Sequence, residues 1–388
     1  MKILLINPPF YRFLGSHYNG MNLGLSYIAS YLKQVNHEVG IYNADFTMSN
    51  EYPTQEELFE SSVDFKANIE DKCNMIYKEM DIAIRCFNPD AVMMSVMSCT
   101  VEVAQRIATM VEALDIPLLV GGPGITLAPG KFDREYPGDY LTDYELIPDR
   151  ESYLHDKDYM DFGYIMSGTG CNKNCVFCAA NKLCGGKIKY RSVDIIEQEI
   201  KEAKKYTNEF YFVDDSFTAN RCRLIDLCYA LCEIDISYKC DTRVDKLDLS
   251  TLALLSASGC VRIKIGVESG SDKILASINK GIKVNDICDK IKIIKFFDMP
   301  LTVYLMIGFP NETDNDVQAT IDLAKWIEAD YYSLSIVTPY PGTKLYDLYK
   351  GDGYLHHQNK KLVMNDQISN KMLDKFLNIN IDYGKGQR

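Results

Sequence analysis

Short continuous apolar runs alternate along the chain with longer stretches in which apolar residues recur every three to four positions. Lys2-Ile-Leu-Leu-Ile-Asn7 is the first run, stopped by Pro8-Pro9. A run of this length bounded by proline reads as a strand buried on both faces. Leu23, Leu25, Ile28, Ala29 and Leu32 follow at helical spacing within residues 22–36. Residues 38–43 and 90–98 read as further strands, and 100–114 as a helix. Pro117-Leu-Leu-Val-Gly-Gly-Pro123 reads as a fourth strand with a glycine-rich end. Residues 54–86 are polar with a helical pattern, an insertion or extended helix. The alternation resumes with strands at 163–167, 209–214, 236–241, 261–267, 301–307 and 331–337. Helices fall between them near 192–206, 220–232, 250–258, 271–279 and 285–297, with a last one near 313–328.

Strands and helices in this order build parallel sheets with right-handed crossovers. The pattern predicts two α/β domains. Residues 1–142 form a Rossmann-like, flavodoxin-like parallel sheet, and 143–162 a linker. Residues 163–350 supply six βα units, a partial, open (β/α)6 barrel rather than the closed eight-stranded form. A short polar tail, 351–388, follows; its His356-His357 pair reads as solvated rather than as a metal site. Ligands of such sheets bind beyond the strand C-termini. In the first domain the groups there are Asn7, Pro8, Ser95, Ser98, Cys99, Thr100, Gly121, Gly122 and Pro123. The glycines permit close backbone approach to a large ligand. These features alone fit a small-molecule crevice or a purely structural α/β domain.

Composition narrows the class. The 388 residues carry a net charge of −12, which disfavours a general nucleic-acid binder, since that needs a basic face. No run of about 18 apolar residues occurs, so no membrane-spanning helix is expected. The first apolar run is too short for a signal peptide. The 13 cysteines are scattered mostly singly, the usage of reduced thiols in a reducing compartment, here the cytoplasm. Twenty-six tyrosines stand against one tryptophan, with no functional reading attached.

The chemistry concentrates in Cys171-Asn-Lys-Asn-Cys175-Val-Phe-Cys178. Thiolate sulfur favours iron–sulfur clusters, zinc or Cu(I). Structural zinc takes four protein ligands, and Cys184 lies close enough in sequence to leave a four-cysteine site open. The loop follows the first barrel strand, which ends at Gly168. Three cysteines at a strand's C-terminal mouth are what a [4Fe–4S] cluster with one open iron requires.

At these residues the chain resembles the radical S-adenosylmethionine (radical SAM) superfamily, whose motif is Cys-x3-Cys-x2-Cys with an aromatic before the third Cys; Phe177 stands there. Phe212-Val-Asp214-Asp215-Ser-Phe, Asp241-Thr-Arg243-Val-Asp245, Gly266-Val-Glu268-Ser-Gly270-Ser, Gly308-Phe-Pro310 and Thr338-Pro-Tyr-Pro-Gly342-Thr resemble the members that carry an N-terminal cobalamin-binding domain. The resemblance implies that Cys171, Cys175 and Cys178 ligate three irons while the fourth binds S-adenosylmethionine. It also implies that the segment of Asp214 and Asp215 receives the methionine amino group. Arg243 pairs with the methionine carboxylate or with a surface acid. Glu268 holds a ribose hydroxyl or the methionine moiety. Ile265 and Gly308-Phe-Pro310 shape the adenine pocket by backbone contact and packing, and Tyr340 is a pocket wall in an otherwise structural motif. No side chain is singled out as a catalytic acid or base. The implied fold of the first domain is of cobalamin-binding type, without an Asp-x-His-x-x-Gly motif and so without a histidine ligand to cobalt.

One departure from the family concerns the segment after Gly-Gly-Pro. A fifth strand and helix are expected there, but Tyr136-Pro-Gly-Asp-Tyr-Leu141 passes almost at once to the linker, so the last βα unit reads as truncated. The expected reaction is hydrogen abstraction from a substrate carbon by a 5′-deoxyadenosyl radical, then cobalamin-dependent C-methylation of a small molecule or peptide. The truncation supports an alternative without cobalamin, a radical isomerase, epimerase, dehydrogenase or cyclase with a vestigial N-terminal domain. A non-catalytic iron–sulfur electron carrier is a third reading. The enzyme readings require an external one-electron reductant such as flavodoxin or ferredoxin.

Overall fold

The computed structural model describes residues 1–49, 51–53, 57–58, 61, 64–138, 145–349 and 367–380. His356 and His357 lie outside them. The chain forms two compact units, Met1–Tyr164 with Gln198–Thr207, and the described residues of Ile165–Glu197 and Asn208–Arg388.

The first unit holds a four-stranded sheet built from β1 (Lys2–Asn7), β2 (Glu38–Asn43), β3 (Ala91–Ser95) and β4 (Leu118–Gly121). Its order is β2-β1-β3-β4, and every pair is parallel. The two-residue repeat of a strand splits β1 between two apolar layers. Leu4 and Ile6 pack with Met80, Ile84, Val103 and Ile107. Ile3 and Leu5 pack with Leu25, Ala29 and Leu32. The continuous apolar run of β1 is thereby explained: both faces are covered.

The stretch 54–86, read as an insertion or extended helix, holds Phe65–Glu70 and Met75–Phe87 as separate helices. Side chains interrupt it. The Asp71 carboxylate accepts from the Cys73 N–H at 2.9 Å, and Asn74 caps the second helix by accepting from Ile76 N–H at 3.1 Å. Short acids and amides that bond their own backbone end helices in this way.

Beyond β4, where a fifth strand would pair, the described residues make one parallel bridge, Val120 to Glu135. Val120 N–H donates to Arg134 O at 3.0 Å, and Tyr136 N–H donates to Val120 O at 2.9 Å. At the other end of β4, Gly122 has φ +101°, and a Cβ there would lie 2.6 Å from Val96 N. Left-handed backbone and a backbone clash act together, so Gly122→Ala is expected to cost at least about 2 kcal/mol, read as a lowered urea midpoint of the first unit.

In the second unit six strands form one sheet of order β12-β11-β10-β9-β8-β5. They are β5 (Tyr164–Ile165), β8 (Glu209–Phe212), β9 (Ser237–Thr242), β10 (Cys260–Glu268), β11 (Leu301–Ile307) and β12 (Tyr331–Ile336). Helices follow the strands as the spacing predicts, and the fold is α/β with a partial (β/α)6 barrel. One side of this sheet is fully covered: Phe210, Phe212, Tyr238, Cys240, Ile263, Ile265, Val303, Leu305 and Tyr332 are buried. The alternate residues Tyr211, Lys239, Asp241, Lys264, Tyr304 and Ser333 are half-buried on the open side. A small antiparallel hairpin, β6 (Gly168–Thr169) with β7 (Lys189–Tyr190), brackets the cysteine loop. Its two-residue strands carry too little pattern to be read from sequence.

Candidate active site

The cysteine loop is fixed at both ends and in its middle. Gly170, at φ +100°, donates its N–H to Asp215 Oδ2 at 2.7 Å. Val176 N–H donates to Ile278 O at 3.1 Å, and Leu345 N–H donates to Val176 O at 2.9 Å. Asn279 Nδ2 donates to Asn174 O at 2.9 Å. Segments beyond β8, β10 and β12 thus hold one loop beside β5, so the loop's shape depends on most of the barrel.

Burial pushes the Cys171 and Cys178 thiols up, and negative charge on Asp215 and on the neighbouring cysteines adds to this. The three sulfurs therefore feel one another, and a bound cation would reverse the effect by favouring the thiolates. Among the described residues no three Cys, His, Asp or Glu side chains converge as ligands of a single ion. An iron–sulfur cube differs from a single ion in placing each thiolate on a separate iron, so its cysteines stand further apart. Cys184 is turned elsewhere: its Sγ accepts from Cys171 N–H at 3.3 Å and faces Cys171 O at 3.6 Å. The donor set fits a three-thiolate cluster better than a four-cysteine zinc site.

Arg243 is buried rather than on the surface. Its Nη1 lies 4.0 Å from Cys175 Sγ. Its Nε donates to Asp245 Oδ1, and its Nη2 to Lys280 O, each at 2.8 Å. Lys280, which sequence reasoning missed, donates to Glu268 Oε1 at 2.7 Å, and both side chains are buried. Glu268 has φ +70° at a register shift of β10 against β11, an uncommon conformation for a residue with a side chain. Gly266 makes room for it, since a Cβ there would meet Glu268 Oε1 at 2.3 Å. Cys175, Arg243, Lys280 and Glu268 thus form one connected chain of contacts.

Four of the expected site residues are tied into the fold. Asp214 is buried, and its carboxylate accepts from Ser167 N–H at 2.7 Å and from Ser167 Oγ at 2.6 Å. It anchors the backbone ahead of the cysteine loop. Asp215 does the same through Gly170. The Ile265 side chain lies on the covered side of the sheet, so only its backbone reaches the open side. Asn7 Nδ2 donates to Asn43 Oδ1 at 2.9 Å, and Asn7 Oδ1 accepts from Asn22 Nδ2 at 3.1 Å. Its amide ties strand ends together.

Phe177 and Phe309 bring two motifs into contact, with ring centroids 5.8 Å apart. Gly308 and Phe309 donate their N–H groups to Glu312 Oε2 at 2.6 and 3.0 Å. Burial pushes Glu312 up from 4.5 to about 7, against the lowering effect of those two bonds. A carboxyl raised on folding binds more protons in the native state, so the stability linked to it falls as pH rises from 4.5 to about 7. Glu312→Gln keeps an acceptor and removes the titration. Its urea midpoint is expected to vary less with pH across that window than the wild type's.

In the first unit Gly121, Gly122 and Pro123 pack directly on the backbone of the turn after β3. Gly124 N–H donates to Val96 O at 2.8 Å, and Thr100 closes the turn by accepting from Met97 N–H at 3.0 Å. Met97 and Cys99 are left exposed there, with Ser98 half-buried. Small side chains and backbone make a floor beyond β3 and β4. Such a floor fits a bulky ligand held by shape, with no imidazole among the residues that form it.

A model of the Radical SAM superfamily matches residues 165–324, and a model of the B12 binding domain matches residues 15–145. A protein of Pyrococcus horikoshii named as an uncharacterized methyltransferase is 26% identical, over 89% of this chain and 83% of its own length. Among solved structures, the radical S-adenosylmethionine methyltransferase TsrM from Kitasatospora setae, with cobalamin and a [4Fe-4S] cluster bound, superposes with a TM-score of 0.67 at 14% identity. The match covers 92% of this chain and 79% of that one. The cobalamin-dependent S-adenosylmethionine radical enzyme OxsB gives 0.58 at 17% identity, over 90% of this chain and 55% of that one. With both domain families present in this order and the cysteine motif intact, the chain belongs to the radical SAM enzymes that carry an N-terminal B12-binding domain.

Proposed function

We propose that this chain is a cobalamin-dependent radical SAM C-methyltransferase acting on a small molecule or peptide. The observation that carries the reading is the three-cysteine loop, held by the barrel's own strand ends with Arg243 against Cys175. When bound, the cluster supplies the electron that cleaves S-adenosylmethionine to a 5′-deoxyadenosyl radical, and cobalamin supplies the methyl carrier. Cys171, Cys175 and Cys178 would hold the cluster. Arg243, with its planar fork, suits the methionine carboxylate. Glu268, set by Lys280, offers a carboxylate to a ribose hydroxyl or an amino group. Gly308 and Phe309 contribute backbone and an apolar wall next to Phe177. Ser95, Ser98, Cys99, Gly121 and Gly122 form the floor for cobalamin.

Several features support the setting without defining it. An external one-electron donor of the flavodoxin or ferredoxin type is required. No helix among the described residues is long and apolar enough to cross a membrane. Anaerobically reconstituted protein given S-adenosylmethionine and reductant is expected to release 5′-deoxyadenosine. With cobalamin and a methyl acceptor it is also expected to release S-adenosylhomocysteine. Deoxyadenosine without any cobalamin dependence would instead favour a radical isomerase, epimerase, dehydrogenase or cyclase. The specific observation behind that second reading is the fifth strand, reduced among the described residues to one bridge at Glu135.

A further inference from the structure

The open side of the barrel sheet carries charge that the proposed chemistry leaves unused. Lys239 on β9 and Arg262 on β10 are direct neighbours across the two strands, and Asp241 and Lys264 are the next such pair toward the C-terminal ends. Tyr238, Cys240, Ile263 and Ile265 between them are fully buried on the other side. Lys239, Arg262 and Lys264 therefore share the open side, where each is half-buried.

The acidic residue paired with Lys264 across the strands is already engaged. Asp241 accepts from the Tyr211 hydroxyl and from the Tyr304 hydroxyl, the latter at 2.8 Å. Lys264 Nζ lies 4.0 Å from the centroid of the Tyr211 ring. Among the described residues, none of the three cationic side chains has a hydrogen-bond acceptor or an ion-pair partner. Burial and the like charges of Lys239 and Arg262 push the Lys264 ammonium down, with Asp241 opposing. Half-buried cations without acceptors are costly. Three gathered on one face of a chain whose net charge is −12 make a local positive site against the global balance.

We infer that the open face of the barrel binds an oxyanion of the substrate, a carboxylate or a phosphate, through Lys264 and Arg262, with Lys239 adding charge. The inference rests on the radical SAM reading of the barrel and specifies its substrate as anionic. Arg262 offers a planar fork for two oxygens, and Lys264 a point charge. Lys264 precedes Glu268 by four residues on β10, about 13 Å of strand. The anionic end of the substrate thus lies toward the barrel floor, and the reacting carbon nearer the cysteine loop.

Calorimetric titration of inorganic phosphate, and separately of succinate, into the reconstituted full-length protein tests this. Saturable binding of at least one anion is expected. Lys264→Gln and Arg262→Gln should each weaken it at least about tenfold, as loss of one charge-assisted hydrogen bond does. Lys264→Arg should restore part of it. Lys292→Gln, which removes an exposed lysine paired with Asp289, should leave it unchanged. Phosphate alone binding identifies a phosphate ester, succinate alone a carboxylate, and both a general oxyanion site. Binding that survives both Gln substitutions, or no saturable binding of either anion to the wild type, overturns the inference. Cluster absorption and substrate-free deoxyadenosine release, measured on the same samples, show that the variants are folded. Those two readouts fail on their own if the radical reading is wrong, because the anion titration does not depend on them.

Discussion

Cys175→Ala protein is expected to come through anaerobic reconstitution without the iron–sulfur absorption band and to release no 5′-deoxyadenosine above background. The loss should exceed about a thousandfold in rate, which corresponds to roughly 4 kcal/mol of barrier. The reason is chemical rather than conformational. Two thiolates cannot hold a cube that needs one on each of three irons. The loop itself stays anchored through Gly170, Val176 and Asn174, none of which depends on the Cys175 sulfur. Cys184→Ala is the contrast. Its thiol is bonded to the backbone of Cys171, so that variant should keep stoichiometric iron. Iron content and visible absorption of the two proteins decide the matter: a Cys184→Ala protein that loses its metal would restore the four-cysteine reading.

Arg150→Met should be the most damaging single change away from the cysteines. Arg150 is 4% exposed, and its Nη2 donates to Glu199 Oε1 at 2.9 Å; Glu199 is fully buried. Nη2 also donates to Tyr164 O, Nε to Phe162 O and Nη1 to Pro148 O, each at 3.2 Å. Removing Arg150 takes its cation away from a carboxylate held in the interior, at a cost of about 3–5 kcal/mol. Glu199→Leu should cost a similar amount, and the double variant less than the sum, because neither charge is then left alone. Denaturant midpoints of the three variants provide the test. Additive losses would mean that the two side chains act independently.

The fold was legible wherever one physical rule dominated. Lys2–Asn7 is buried on both faces, so its apolar run was unbroken and its bounds were read correctly. The strands over 260–268 and 301–307 alternate or run apolar in the same obvious way. The break within 54–86 was not legible because periodicity does not register that Asp71 and Asn74 spend their side chains on local backbone. The hairpin of residues 168–169 and 189–190 is too short for any pattern.

The candidate site divided along similar lines. The spacing of Cys171, Cys175 and Cys178 is local in sequence and needs no fold to be noticed. Which way a side chain turns is not local. Asp214 belongs to a motif expected to face a ligand, and only the fold shows that Ser167, ahead of the cysteine loop, donates to both of its oxygens. Lys280 was missed because a lone lysine after a short helix carries no signal until β10 brings Glu268 against it. The basic open face was equally hidden. Lys239, Arg262 and Lys264 fall on two strands, and only their register makes them neighbours.

The question that most directly decides the account is whether the first unit holds cobalamin. Among the described residues its sheet has four strands and one bridge where a fifth strand would pair, while the family match spans residues 15–145. Anaerobic titration with cobalamin, followed by washing and visible absorption, measures it. Close to one cobalamin per chain is expected to be retained, alongside an intact iron–sulfur band. Protein that keeps the band but washes free of cobalamin would contradict it, and would turn the search toward radical rearrangements and oxidations that need no methyl carrier.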